Sequence, residues 1–315
     1  MTPEAVLAQP PIRLTRAQRE HYFREGYLLV EDAVPPATVA ALREVTAGFV
    51  ADSGRETRSG PVFDIGPGHR PGRPVLRRLK KPDERSPVYW DFARGLVADI
   101  AADLLGRDLV FHHSKLNFKW QAASAASAGS SGKTDPDRPD PVAPDQVDWH
   151  QDIQFFPHTN YAVLTIGCYL EDTDMSNGPL AVLPGSHEGP LYDLYDQAGR
   201  WTGHLRPEDA AGVPMEKAVY LTGRAGSLTV HNCRTLHFSP PSTNPTPRPL
   251  LLNVYAAADA RAYTPHPDPT VHAYELIRGA PARIAHHDPR PCPIPPDWSG
   301  GYTSIFAAQQ GEDAA

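Results

Sequence analysis

Thirty-five of the 315 residues are proline and 24 more are glycine, so 59 residues, about 19% of the chain, belong to these two types. The usual share is ~12%. Proline breaks helix interiors and has no place in central strands. That excludes a helical bundle and favours a β-rich body with long, rigid connections. A length of 315 residues allows a sizeable core, so no disulfide or metal is needed merely to hold the fold.

Charge and cysteine usage narrow the function classes. A net charge of −7 argues against bulk nucleic-acid binding, which shows as basic patches. No run of about 18 apolar residues exists, so no membrane span is expected. The first residues, MTPEAVLAQPPIRL, carry no charged segment leading into an apolar core, so no secretory signal is expected. Cys168, Cys233 and Cys292 form no CxxC and read as free thiols of a cytosolic protein. Fourteen histidines beside three cysteines point any metal site towards imidazole and carboxylate ligands.

The first third of the chain reads as helical. Residues 1–13 lack periodicity and read as a flexible tail. Thr15 to Gln18 forms a capping box for a helix that ends at Gly26. Tyr27 to Val30 reads as a strand. Pro35-Pro36 opens a second helix, and Ser86-Pro87 a third, which runs to Gly106. Beyond that point the pattern changes. The stretches 109–120, 162–170, 180–183, 218–221, 227–230 and 250–256 are short apolar or β-branched runs between turn residues. This order predicts a mainly β fold with flanking helices, a jelly roll or cupin-like barrel, in a single domain over residues 14–315. The segment 121–145, Ala/Ser/Gly-rich and then Asp/Pro-rich, cannot offset its ordering entropy and reads as a long mobile loop.

The chemistry concentrates directly after that loop. In Asp148-Trp-His-Gln-Asp152, His150 and Asp152 are two residues apart, so an extended strand points both to one face. Downstream, His237 is followed eleven residues later by Arg248. Two histidines and one carboxylate on one face of an octahedral metal leave three positions open, which suits non-heme Fe(II) oxygen chemistry. A 2-oxoacid chelates two of those positions and O2 takes the third. The far carboxylate of a dicarboxylic co-substrate needs a permanently charged fork, which arginine supplies. Ser239 adds a hydroxyl donor for the same carboxylate. His231, six residues before His237, is the alternative third ligand, and the arginine spacing favours His237.

Four segments in order resemble the phytanoyl-CoA dioxygenase family, which includes ectoine hydroxylase. They are LTRAQREHYFREGYLLVEDAVPP at the start, DWHQD, NGPLAVLPGSH over 177–187, and LHFSPPSTNPTPRPLL. The resemblance covers most of the chain. It implies a double-stranded β-helix, Fe(II) on His150, Asp152 and His237, and 2-oxoglutarate as co-substrate with its C5 carboxylate on Arg248 and Ser239. Asn117 and Lys115 fall where ectoine hydroxylase has an asparagine near 2-oxoglutarate and a basic residue at the pocket. The implied activity is O2-dependent hydroxylation, or a related oxidation, of a small molecule such as an amino acid or natural-product intermediate. No nucleic acid or membrane partner is implied, and the chain is expected as a monomer or homodimer in the cytoplasm.

Some residues carry competing readings. His112, His113 and His158 read as hydrogen-bonded core histidines rather than ligands, and His187 as a turn residue supporting the barrel. Arg234 reads equally as a surface charge or a substrate contact. Arg77-Arg78 and Lys80-Lys81 form a basic run, read as a solvated surface or else as a receiver for an acidic substrate group. Two further functions fit the same architecture. One is a cupin-like metal protein without 2-oxoglutarate, which has no need of Arg248. The other is a non-catalytic binding protein, against which the intact triad argues.

Overall fold

Ile12, Arg13 and Leu14 donate their backbone N–H groups to the carboxylate of Asp103 at 2.7–2.8 Å. The computed structural model describes residues 2–121, 146–298, 301 and 304–310. Residues 3–7 form α1 (Pro3–Leu7), with Val6 buried. Arg19, itself buried, donates to the carbonyls of Val6, Gln9 and Asp103. The N-terminal segment is thus docked, which corrects the expectation of a flexible tail. The sequence-based expectation came from lack of periodicity. It missed the fact that one buried carboxylate and one buried guanidinium can anchor irregular backbone.

Thr15 and Gln18 cap each other at the start of α2 (Arg16–Glu25), which ends at Gly26 with φ +79°. A Cβ there would lie 2.4 Å from Nδ1 of His187, so the helix end, the following strand and the turn at His187 meet only around glycine. His187 supports this junction through Nε2 and the carbonyl of Phe23. The second helix, α3 (Pro36–Ser53), opens on proline as expected. The third expected helix is divided at Gly95 into α5 (Pro87–Arg94) and α6 (Leu96–Leu105), after a short α4 (Pro82–Arg85). Two late helices, α7 (Pro207–Ala210) and α8 (Ile305–Gln310), complete the described set.

Twelve described strands form two sheets. They are β1 (Tyr27–Val30), β2 (Phe63–Ile65), β3 (Leu76–Lys80), β4 (Leu109–Lys119), β5 (Val147–His150) and β6 (Val163–Tyr169). Then follow β7 (Leu180–Val182), β8 (Val219–Leu221), β9 (Leu228–Asn232), β10 (His237–Ser239), β11 (Arg248–Ala257) and β12 (Leu276–Arg278). The larger sheet runs β1-β9-β6-β11-β4-β3-β2, with β12 beside β4, and the smaller runs β5-β10-β7-β8. Every pairing is antiparallel. This is the jelly roll expected from the alternation of short strands and turns.

The helices cover one face of the larger sheet. Leu164, Ile166 and Cys168 of β6 join Leu228 and Val230 of β9 and the apolar side of α6 in the main core. The alternate residues, Thr165 of β6 and His231 of β9, face the space between the sheets. On β4 the alternation is reset. Val254 pairs with His113 and Tyr255 with Phe111, so His112 has no partner of its own. After this one-residue bulge, Leu116 and Phe118 join Phe111 on the helix side, while His113, Lys115, Asn117 and Lys119 face inwards.

The basic run is not a solvated surface. Every residue of β3 is buried, with Leu76 and Leu79 in the main core. Arg77 pairs with Asp64 at 3.0 Å, and Arg78 and Lys80 line a cavity between the sheets. The expected loop 121–145 lies outside the described residues except for Gln121, which bridges to Ser242.

Asp103→Ala leaves three N–H groups without their acceptor. We expect a loss of about 3 kcal/mol, from the cost of unpaired buried polar groups, read by urea denaturation. Tryptic cleavage at Arg13 and Arg16 should accelerate in the same variant.

Candidate metal centre and co-substrate cavity

β5 ends at His150 and a 3-10 turn begins at Asp152. The two residues therefore do not share one strand face, as the spacing alone predicts. The turn brings them together instead, with His150 Nε2 3.8 Å from Asp152 Oδ1. His237 opens β10, directly opposite His150 in the ladder, and its Nε2 is also 3.8 Å from Oδ1. The nearest ligand atoms of the three lie within 4.8 Å of one another.

The surrounding hydrogen bonds decide which atoms point inwards. His150 donates Nδ1–H to the carbonyl of Asp148 at 2.8 Å, and His237 to that of Thr235 at 2.9 Å. Both Nε2 lone pairs are thereby turned to the shared space, the arrangement a metal-ligating imidazole requires. Asp152 Oδ2 accepts from Thr165 Oγ1 at 2.7 Å and from His231 Nε2 at 3.2 Å. Oδ1 is left facing the two imidazoles, with Lys115 Nζ at 4.0 Å. His231 thus holds the carboxylate, and His237 stands at the oxygen that faces His150. The donor set, two neutral nitrogens and one carboxylate oxygen on one side, fits a divalent iron.

Burial governs the protonation states. Desolvation pushes His150 down to about 4, and holds His237 well below its ordinary value. Burial alone would raise Asp152, but the neighbouring Lys115, then His231 and His237, hold it well below the usual carboxylate range. The site is therefore assembled with neutral imidazoles and an ionised carboxylate.

A cavity leads from the triad to the buried guanidinium of Arg248. Arg248 donates to the carbonyl of Gly178 at 2.9 Å and reaches that of Asn177 at 3.5 Å. This explains the NGP part of the central motif. Gly178 has φ +63°, and a Cβ there would lie 2.3 Å from the carbonyl oxygen of Pro240. Ser239 and Asn117 line the same cavity, and Asn117 Oδ1 accepts from Arg78 Nε at 2.8 Å. Lys115 borders this cavity and a second one beside Arg78 and Lys80. Phe238 stacks on Trp149 with ring centroids 4.3 Å apart. Ile305 and Phe306 of α8 close the cavity from another side.

Several residues escaped the sequence reading. Lys119, opposite Arg248 in the ladder, donates to the carbonyl of Ser239 at 3.1 Å. Its inward direction depends on the bulge at His112, which no residue pattern announces. Thr165 had a signal, because its alternation with Leu164 and Ile166 marks it as inward. Arg234 is neither a surface charge nor a cavity residue. It is buried, donates to the carbonyls of His187 and Gly189, and lies over the Tyr161 ring at 4.3 Å.

Comparison with known proteins agrees with this geometry. Residues 22–250, more than two thirds of the chain, match the phytanoyl-CoA dioxygenase (PhyH) family model. A Stutzerimonas stutzeri protein described as a probable alpha-ketoglutarate-dependent hypophosphite dioxygenase is 32% identical over 251 residues, 77% of this chain and 79% of that one. An ectoine dioxygenase from Sphingopyxis alaskensis is 25% identical over 269 residues, 80% and 79% of the two chains. The crystal structure of EctD from S. alaskensis with 2-oxoglutarate and 5-hydroxyectoine superposes with a TM-score of 0.62 at 22% identity, covering 90% of this chain and 91% of that one. This chain belongs to the phytanoyl-CoA dioxygenase family, and so is an oxidoreductase of the dioxygenase class. Among the described residues, no helix is long and apolar enough to cross a membrane.

Five buried histidines, His112, His113, His150, His158 and His237, and the half-buried His266 have pKa values pushed down, first of all by desolvation. Below their ordinary value of ~6.5 the unfolded chain takes up protons that the folded protein refuses. The metal-free protein should therefore lose stability as pH falls from 6.5 towards 4. Each histidine should contribute up to ~1.4 kcal/mol per pH unit, measured as urea midpoints across that window.

Proposed function

We propose that this chain is an iron(II)- and 2-oxoglutarate-dependent dioxygenase of a small polar molecule, with His150, Asp152 and His237 as its metal ligands. The observation that carries this reading is the split use of Asp152. Oδ2 is tied to Thr165 and His231, while Oδ1 and two inward Nε2 atoms converge at one end of the cavity that holds Arg248 at the other. Iron bound there with 2-oxoglutarate supplies O2 activation coupled to oxidative decarboxylation of the co-substrate to succinate and CO2.

The chain's own residues then have separable tasks. Arg248 receives the C5 carboxylate as a bidentate fork, already oriented by the carbonyls of Asn177 and Gly178. Ser239 adds a hydroxyl donor, and the Lys119 ammonium beside it adds charge at the same end. Asn117, held by Arg78, and Lys115 serve the end of the co-substrate nearer the metal. Thr165 and His231 keep one carboxylate oxygen from turning away. The Trp149–Phe238 stack and α8 exclude water from the reacting end.

The two reported relatives are named for hypophosphite and ectoine, both small and polar, and we infer a substrate of that size and character, a class that includes amino acids and polar natural-product intermediates. A Lewis-acid cupin would not need a buried, pre-oriented arginine opposite the metal. The free cysteines, Cys168 and Cys233 buried and Cys292 half-buried, are consistent with a cytoplasmic protein.

Calorimetric titration under argon tests the assignment. Wild type should bind Fe(II) and then 2-oxoglutarate, and His150→Ala and Asp152→Ala should lose the metal. Thr165→Val should keep the fold but weaken Fe(II) binding roughly 10- to 100-fold. Arg248→Gln should leave Fe(II) binding intact and weaken 2-oxoglutarate roughly a hundredfold, as expected for truncating a buried charge pair. Wild type that binds Fe(II) but not 2-oxoglutarate would favour the cupin-like alternative.

A further inference from the structure

The second cavity adjoins the triad at Asp152 and is walled by Arg78, Lys80, Lys115, His113 and His266. Lys80 and Lys115 face each other directly across the β3–β4 ladder. Like charges at opposed positions destabilise a sheet, and here Lys80 is buried and Lys115 half-buried. Lys80 is 7% exposed, and its ammonium makes no hydrogen bond or ion pair with another described residue. Arg78 commits only Nε, to Asn117, and its terminal nitrogens make no hydrogen bond with a described residue.

The nearby carboxylates do not balance these charges. Asp268, which also borders the cavity, pairs with Lys81 at 3.2 Å. Asp152 is held by Thr165 and His231 on one oxygen and faces the imidazole pair with the other. In the reading above, the two carboxylates of 2-oxoglutarate meet the metal and the Arg248–Lys119 end. Lys115 has Asp152 at 4.0 Å, so the Lys80 ammonium and the terminal nitrogens of Arg78 remain without a counter-charge beside the reacting position.

The histidines here could suggest a second metal centre, since His112, His113 and His266 have ligand atoms within 4.8 Å. The hydrogen bonds argue against it. His266 Nδ1 accepts from the backbone N–H of Asp268 at 3.1 Å, so its proton sits on Nε2 and that atom has no lone pair for a metal. His112 and His113 share a hydrogen bond between their Nδ1 atoms at 2.6 Å. His266 is thus a neutral N–H donor at the cavity, which complements an anion and not a cation. Desolvation keeps all three imidazoles uncharged.

We propose that the substrate carries an oxyanion group, a carboxylate or a phosphorus oxyanion, seated in this cavity on Lys80 and Arg78 with Lys115 and the His266 N–H beside it. This places the group's neighbouring bond at the metal face of Asp152. The proposal rests on the dioxygenase reading and names the substrate class of that same site. It also gives the unpaired buried lysine a purpose. An uncompensated charge is retained at a cost to stability when a ligand supplies its counterion.

The test uses the Fe(II)·2-oxoglutarate form of the full chain under argon, titrated calorimetrically with hypophosphite, methylphosphonate, propionate and neutral propionamide. We expect at least one oxyanion to bind with Kd of about 1 mM or tighter, and propionamide not to bind. Preference between the phosphorus oxyanions and propionate identifies which source of the group the cavity takes. Lys80→Met should weaken the bound oxyanion at least tenfold, while 2-oxoglutarate affinity stays within about twofold. Ligand-free Lys80→Met should melt at or above the wild-type temperature, because an unpaired buried charge has gone. Binding of propionamide as tight as that of propionate would overturn the proposal. So would undiminished oxyanion binding by Lys80→Met, or no oxyanion binding by protein that takes up 2-oxoglutarate normally. Failure of wild type to bind 2-oxoglutarate would instead remove the dioxygenase reading, and this assignment with it.

Discussion

The two oxygens of Asp152 have different partners, and the geometry of the site follows from that asymmetry. A free carboxylate rotates and offers either oxygen. Here Thr165 from β6 and His231 from β9 occupy Oδ2, so only Oδ1 is presented to His150 and His237. Both of those anchors sit in the larger sheet, and both histidines belong to the smaller one. The carboxylate therefore registers one sheet against the other. The jelly roll, the helices behind it and the docked N-terminus all act to keep that registration.

The two cavities divide the electrostatic work. One ends in the Arg248–Lys119 pair, both on inner-facing positions of adjacent strands. The other is bounded by Arg78, Lys80 and Lys115. Lys115 stands between them, close to Asp152. Cations in a low-dielectric interior are costly unless anions meet them. The protein supplies few such anions, so the pattern of buried charge describes the ligands in negative relief. In the reading proposed above, one cavity takes a dicarboxylate and the other takes an anionic group of the substrate.

Much of the fold was legible because local signals were strong. The capping box at Thr15, Gly26 and the proline starts mark helices independently of tertiary context, and β6 and β11 announce themselves as apolar runs. The short strands β2, β3 and β5 did not, because their pairing depends on neighbours distant in sequence. β3 misled in a specific way. LRRLK looks like surface, and only its place beside β4 buries the charges. At the site, the triad and Arg248 were read from spacing and resemblance, and the structure brings those residues together. The geometry behind the spacing differed, since Asp152 lies on a turn and not on the strand that ends at His150. Lys119 was out of reach because its direction depends on strand register, while the run at Arg78 and Lys80 carried two readings, a solvated surface or a receiver for an acidic substrate group, between which the sequence alone did not decide.

The bulge at His112 has a consequence for how such a chain can change over generations. β4 is a single strand with two lining programmes, and one unpaired residue switches between them. Loss of that one codon would let the ladder run unbroken, with His113 following Phe111 opposite Val254 and Tyr255, and would leave Lys115, Asn117 and Lys119 inward and Leu116 and Phe118 towards the helices. The apolar core and the polar chamber share this strand and are not free to drift apart. A length change in this strand would have to spare both or damage both, while substitutions can retune the chamber alone.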